Sequence, residues 1–219
     1  SKVSKVSERV LFSDFRKYKG LSLYIQFLFT KEKGSLFNVK VWMKLLVKKS
    51  TLCYGNENRN PNLKRRNNAM NFFENTRKPQ GFGGKLMTKM MNIGHAKLSQ
   101  WGFSNISVNS DAAVLDVGCG GGANIVAWLG KCGNGHVTGM DYSEVSVAES
   151  QKLNATAIKQ GKCNVVQGDV SAIPFSDATF DYVSAFETVY FWPGLVKCFS
   201  EVNRVLKSEG IFLICNESD

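Results

Sequence analysis

Histidine is nearly missing from this chain, with two among 219 residues. Six cysteines (Cys53, Cys119, Cys132, Cys163, Cys198 and Cys215) include no C-x-x-C pair, so zinc-type ligand spacing is lacking and no metal is expected. Unpaired, scattered cysteines read as free buried thiols in a reducing compartment. No apolar run approaches the roughly 18 residues that a membrane span needs, and the best candidate, LSLYIQFLFT at residues 21–30, is far too short. The basic, apolar, small-residue order of a signal peptide is lacking as well, so a cytoplasmic location is the expectation. Acids are scarce in one half only. Residues 1–100 hold 5 Asp/Glu against 21 Lys/Arg, net +16, whereas residues 101–219 hold 13 against 7, net −6.

That split divides the chain. With 43% hydrophobic residues the chain can bury one sizeable core with an appendage. Residues 1–66 read as a basic N-terminal extension, disordered or foreign to the domain, with YGNENRNPNLKRRNN at 54–68 as linker. Within it, Leu36, Val39, Met43, Leu46 and Val47 fall on one helical face beside Lys40, Lys44 and Lys48, which predicts a basic amphipathic helix over 35–50. Residues 67–110 read as a helical cap or lid. From 111 to the end, β-rich runs at 113–117, 136–140, 164–167, 181–185 and 211–215 alternate with helical segments, the pattern of a parallel sheet covered on both faces. Ser143 is the expected N-cap of one helix. Another runs through Leu195, Cys198, Phe199, Val202, Val205 and Leu206, with Lys207 in its last turn and Gly210 after it. Only 12 residues, 168–179, join the third and fourth runs, near the lower limit for a crossover, so one helical turn and no full helix is expected there.

In such a sheet ligands bind beyond the carboxyl ends of the strands, where the first strand meets its helix. Here that turn is VLDVGCGGGANI, residues 114–125. Gly118, Gly120 and Gly121 let a ligand approach the main chain and the free N–H groups of the helix start. A phosphate loop would end in Gly-Lys-Ser/Thr, and this one does not. A dinucleotide fingerprint does fit, since Gly118, Gly120 and Ala123 match G-x-G-x-x-A and Asp141 follows 23 residues after Gly118. Three acids weigh against it. Asp116, Asp141 and Asp169 stand at three strand ends, where they would repel a pyrophosphate. They suit a ligand that carries an ammonium group, a ribose and an exocyclic amine, which describes S-adenosylmethionine.

Taken in order, VLDVGCGGGANI, VTGMDYSEVSV, VVQGDVSAIPFSDATFDYVSAFETVYFW and EVNRVLKSEGIFLI resemble class I S-adenosylmethionine-dependent methyltransferases, nearest the ubiquinone/menaquinone-biosynthesis branch (methyltransferase domain 11/25). The resemblance covers about residues 68–219. It implies a Rossmann-like, doubly wound, mostly parallel α/β sheet of strand order 3-2-1-4-5 behind an N-terminal helical lid. Asp116, Gly118, Cys119 and Gly120 would line the methionine end of the cofactor, and Asp141 would take the ribose hydroxyls with Tyr142 beside adenine. Asp169 would accept from the adenine amine, with the Val170 main chain at the ring edge, while Phe186 and Glu187 would face the sulfonium. Glu187 and His95 are the candidate bases. Met90, Met91, Tyr190 and Trp192 would line an apolar acceptor pocket. The resembled sheet has two further strands as a hairpin edge, so the chain reads as C-terminally incomplete, with its fifth strand an open edge that invites association.

A small organic methyl acceptor is expected. AFET after the fourth run replaces the Asn/Asp-Pro-Pro-aromatic element of amino-methylating nucleic-acid enzymes, and no Pro-Cys nucleophile is present. Residues 101–121 and 180–194 contain no Lys or Arg, which points away from nucleic acid. The alternatives are an RNA or DNA methyltransferase that uses the basic arm, a nicotinamide oxidoreductase, or a catalytically silent cofactor-binding module.

Overall fold

The computed structural model describes residues 21–32, 35–47 and 96–218. One seven-stranded sheet organises them: β1 (Leu21–Glu32), β2 (Ser35–Val47), β3 (Ala113–Val117), β4 (His136–Asp141), β5 (Cys163–Gln167), β6 (Phe180–Phe186) and β7 (Leu206–Ser218). Their spatial order is β2-β1-β7-β6-β3-β4-β5. Strands β3 to β7 are parallel and follow the expected 3-2-1-4-5 order. The fold is a Rossmann-like doubly wound α/β sheet.

Successive residues of a strand point to opposite faces, and both faces here are covered. Val114, Val137, Val165, Tyr182 and Leu213 lie in one core with Trp128 and Ile125 of α2 (Ala123–Lys131) and Leu98 and Phe103 of α1 (Ala96–Ser104). Leu115, Val117, Met140, Val183, Phe212 and Ile214 lie in the other, beneath Cys198, Val202 and Val205 of a C-terminal helix, Leu195–Val205. Phe103 sets its ring edge-on to Trp128, at 5.0 Å, and tilted against Phe186, at 5.1 Å. The described end of the expected lid segment is therefore a core helix. Helix α3 (Glu144–Leu153) starts at the expected cap: Ser143 Oγ accepts from the Ser146 N–H at 3.4 Å. A short α4 (Ala155–Lys159) follows it, which makes the Leu195–Val205 helix α5.

The 168–179 crossover forms turns and no helix, as its length dictates. Arg204 of α5 holds it. Its guanidinium donates to the Phe175 and Ile173 carbonyls at 2.7 and 2.8 Å and pairs with Asp177 and Glu201, while Glu201 accepts from the Ile173 N–H at 2.9 Å. The Arg204 hydrogen bond lowers the Glu201 carboxyl below its ordinary value.

Three expectations are corrected. Residues 35–47 form a strand, because Phe37, Val39, Val41, Met43, Leu45 and Val47 also alternate with period two and are rich in β-formers, so the helical spacing is one of two readings of the same run. The expected open edge is paired: β1 runs antiparallel to β7 from Leu23 opposite Ser218 to Thr30 opposite Ile211, and β2 in turn pairs β1. Lys31 Nζ adds a bond to the Leu206 carbonyl at 2.7 Å. Helix α5 stops at Val205, and fully buried Leu206 turns to extended backbone. Lys207 therefore lies past the helix and pairs with Asp181 at 2.9 Å, while the left-handed residue is Glu209, at φ 62°, one before Gly210.

Candidate active site

The carboxyl ends of β3, β4 and β5 are laced together by main-chain bonds. Gly118 and Cys119 both donate their N–H to the Met140 carbonyl, at 2.7 and 3.1 Å, and the Gly168 N–H donates to the Asp141 carbonyl at 3.0 Å. Gly118 makes its turn at φ +71°, and a Cβ there would strike the Thr188 side chain at 2.6 Å. Gly120, at φ +52°, has none of the described residues within 4 Å of where a Cβ would stand, so among them the loop keeps an open flank.

Asp141 closes that loop. Its Oδ2 accepts from the Gly120 N–H at 2.9 Å and its Oδ1 from the Ser143 N–H at 2.8 Å. Burial raises its carboxyl above the ordinary value, against the pull of these amides. The Ser146 side chain and the Tyr142 backbone also bond it, so the carboxylate is held in a fixed orientation. The same bond bears on the dinucleotide alternative. The Gly120 amide that a pyrophosphate would use already points at a carboxylate.

Asp116 lies deeper. Its Oδ1 accepts from Ser184 Oγ at 2.6 Å, Ser184 Oγ accepts from Trp128 Nε1 at 2.9 Å, and its Oδ2 is buried with no hydrogen-bond partner among the described residues. Burial lifts this carboxyl to about 7, with Asp141 pushing the same way and the Ser184 bond opposing. An orphaned buried carboxyl oxygen is costly unless a cation or donor meets it. Asp169 accepts from the Ser171 N–H at 2.7 Å. Tyr142 is exposed, its carbonyl tied to Gln167 Nε2 at 3.1 Å. The Val170 side chain is packed in the second core, which leaves its main chain to meet a ligand. The Cys119 thiol is buried near Ser150 Oγ and held well above its ordinary value, chiefly by that burial. The Phe186 ring is likewise used by the core.

A second cluster forms past β6. Glu187 is buried in the left-handed region, at φ 58°, a conformation that costs a non-glycine residue energy. Its N–H donates to the Cys215 carbonyl at 2.9 Å, and its carboxylate accepts from Tyr190 Oη at 3.0 Å and from the Glu217 N–H. Burial, then the Glu187 charge, holds the Tyr190 phenol well above its ordinary range, so it is a neutral donor. Trp192 Nε1 donates to Thr188 Oγ1 at 2.9 Å, and its ring stacks on Phe212 at 6.1 Å. Met90, Met91 and His95 lie outside the described residues. Sequence reasoning missed Ser184, Trp128, Thr188 and Glu217. Ser184 was findable, because aligning the first and fourth runs sets it in register with Asp116.

Residues 115–214 match the family profile described as Methyltransferase domain. This core is a class I methyltransferase domain. Cycloartenol-C-24-methyltransferase 1 of Oryza sativa subsp. japonica is 37% identical over 109 residues, 50% of this chain and 31% of that protein. Sterol 24-C-methyltransferase ERG6B of Gibberella zeae is 40% identical over 114 residues, 49% of this chain and 28% of that protein. The chain thus spans under a third of the length of these curated relatives. Among solved structures, a Methanococcus maripaludis protein assigned as an S-adenosyl-L-methionine-dependent methyltransferase superposes with TM-score 0.53 at 25% identity, over 60% of this chain and 63% of its own. The methyltransferase bound to the Trm112 activator in a Haloferax volcanii complex gives TM-score 0.54 at 26% identity, over 57% and 54%. Among the described residues no group of side chains suits a metal, and no helix is long and apolar enough to cross a membrane.

Proposed function

We propose that this domain binds S-adenosylmethionine and passes its methyl group to a small organic acceptor by in-line displacement. The observation that carries the reading is the seat at β3 and β4: a glycine loop open at Gly120, its amide turned to the Asp141 carboxylate, above a buried Asp116 oxygen with no partner among the described residues. These features fit a cation and a diol and do not fit a phosphate. When bound, the cofactor supplies an activated sulfonium methyl. Asp141 would hold the ribose, Asp116 would face the ammonium group, and Asp169 with the Val170 main chain would meet the adenine edge beside Tyr142.

What remains for the protein is to position the acceptor and, where the acceptor has a proton to lose, to take it. Glu187 suits proton removal, since its carboxylate is oriented by Tyr190 and the Glu217 amide, and a proton would arrive at Oε2 as the Tyr190 bond gives way. Tyr190 and Trp192 would form part of the acceptor wall. The relatives whose names specify sterols support an apolar acceptor, as does the lack of Lys and Arg in 101–121 and 180–194. Incubation with S-adenosylmethionine and a metabolite extract should give a product heavier by one methyl, absent with Asp141→Ala. Methylation of bulk RNA with no small-molecule product would refute the acceptor class.

A further inference from the structure

Three fully buried polar side chains stand in a row beneath the glycine loop: Trp128 of α2, Ser184 of β6 and Asp116 of β3. An indole nitrogen only donates, so Ser184 Oγ accepts from Trp128 Nε1 at 2.9 Å, and Ser184 Oγ in turn donates to Asp116 Oδ1 at 2.6 Å. With Ser184 donating to Oδ1, a proton that Asp116 carries sits on Oδ2, the oxygen with no partner among the described residues. Register holds the geometry rigid, since Asp116 and Ser184 are paired residues of adjacent parallel strands. A serine and an indole N–H in a core are superfluous for packing, and an aspartate is costly there.

We propose that Ser184 and Trp128 are positioning residues for the cofactor: they orient Asp116 so that Oδ2 alone answers the cofactor's ammonium group, and Asp116 releases the Oδ2 proton to solvent as that cation arrives. The inference rests on the S-adenosylmethionine reading above. The proton balance is simple: a neutral carboxyl becomes a carboxylate, one proton passes to buffer, and the ammonium is unchanged. The groups facing Asp116 allow it. Asp141 comes from β4, the protonated Cys119 thiol from the turn after β3, Ser184 from β6 and Trp128 from α2; none of these is a cation, so the seat is set for one to be supplied. With its ordinary value lifted to about 7, the carboxyl is largely protonated below neutrality in the empty protein and releases that proton on binding.

The test combines two readouts on the full chain. Carbon-13 NMR of the side-chain carboxyls follows Asp116 in the empty protein, and calorimetry of S-adenosylhomocysteine in buffers of different ionisation heat counts protons released. Wild type should release close to one proton at pH 6 and almost none at pH 8.5. Ser184→Ala should move the Asp116 midpoint up by about one pH unit and weaken binding at pH 7 by about tenfold. Ser184→Thr, which keeps the hydroxyl, should return the midpoint toward wild type, and Trp128→Phe should shift it upward by less. If Ser184→Ala fails to fold, Trp128→Phe reads the same relay. Tight binding without proton release, or a midpoint unmoved in these variants, would overturn the inference and leave the cofactor reading standing. No binding of S-adenosylhomocysteine by wild type would overturn both, with the NMR titration still reporting on the relay.

Discussion

The two halves of the sheet's carboxyl edge solve one problem in different ways. At β3 to β5 the acids are met by loop amides of the same edge: Asp141 by Ser143 of its own turn and Gly120 of the turn after β3, Asp169 by Ser171 of its own turn. Past β6, Glu187 is met by a side chain, Tyr190, and by an amide 30 residues on, at Glu217, while its own backbone sits in the left-handed region. Satisfaction by loop amides makes a rigid, preformed seat, which is what a common cofactor needs. Satisfaction across strands, held in strained backbone, makes a site that a bound acceptor can rearrange. We therefore assign the first half to the cofactor and the second to the acceptor.

Asp116 differs from Asp141 and Asp169 in being met by a side chain, Ser184, in place of a loop amide, and changing it should have the greatest consequence. It has a folded value of about 7 against an ordinary 3.8, so the folded chain holds that proton more tightly than the unfolded one. Its contribution to stability is present below about pH 4 and is lost as pH rises through about 7. Asp116→Asn, which mimics the protonated form, should raise the stability of the empty protein at pH 8 by on the order of 2–4 kcal/mol and leave it nearly unchanged at pH 4, by thermal unfolding. The same variant should bind S-adenosylhomocysteine more weakly. Equal stability gains at both pH values would show that the buried carboxyl does not titrate in this range.

On the acceptor side, Glu187→Gln should lower turnover by about 100-fold while leaving affinity for S-adenosylhomocysteine within about twofold. A comparable loss of cofactor affinity would erase the division between the halves. Asp141→Ala should do the reverse and weaken cofactor binding by about 1.5–3 kcal/mol, because it also strands two amides. A milder change is expected in the crossover that delivers Asp169. Arg204→Met should cost about 1 kcal/mol in stability, since its partners are half-exposed, and should loosen the 173–177 turns as seen by hydrogen exchange. Unchanged exchange there would place the rigidity of that loop elsewhere.

The same contrast explains what could be read from the sequence. The strand order, the glycine turn, the Ser143 cap and the three strand-end acids were legible because each depends on residues close in the chain or on the regular alternation of strand and helix. The relay from Trp128 through Ser184 to Asp116 was not, because its two links join different elements 56 and 68 residues apart. Glu187 was visible as an acid after a strand, but Glu217, which holds it, was not. The run at 35–47 failed for another reason. Its apolar residues satisfy both helical and alternating spacing, and only pairing with β1, which itself pairs β7, decides between them.

If loop amides and strand-end acids build a cofactor seat at β3 and β4, that seat must take a sulfonium nucleoside and reject a dinucleotide. Calorimetry of the full chain against S-adenosylmethionine, S-adenosylhomocysteine, NAD, NADH and NADP decides the matter in one series. Both S-adenosyl compounds should bind, with binding weakened in Asp141→Ala, and the three dinucleotides should give no heat; tight NADH binding with silence from S-adenosylhomocysteine would refute the assignment.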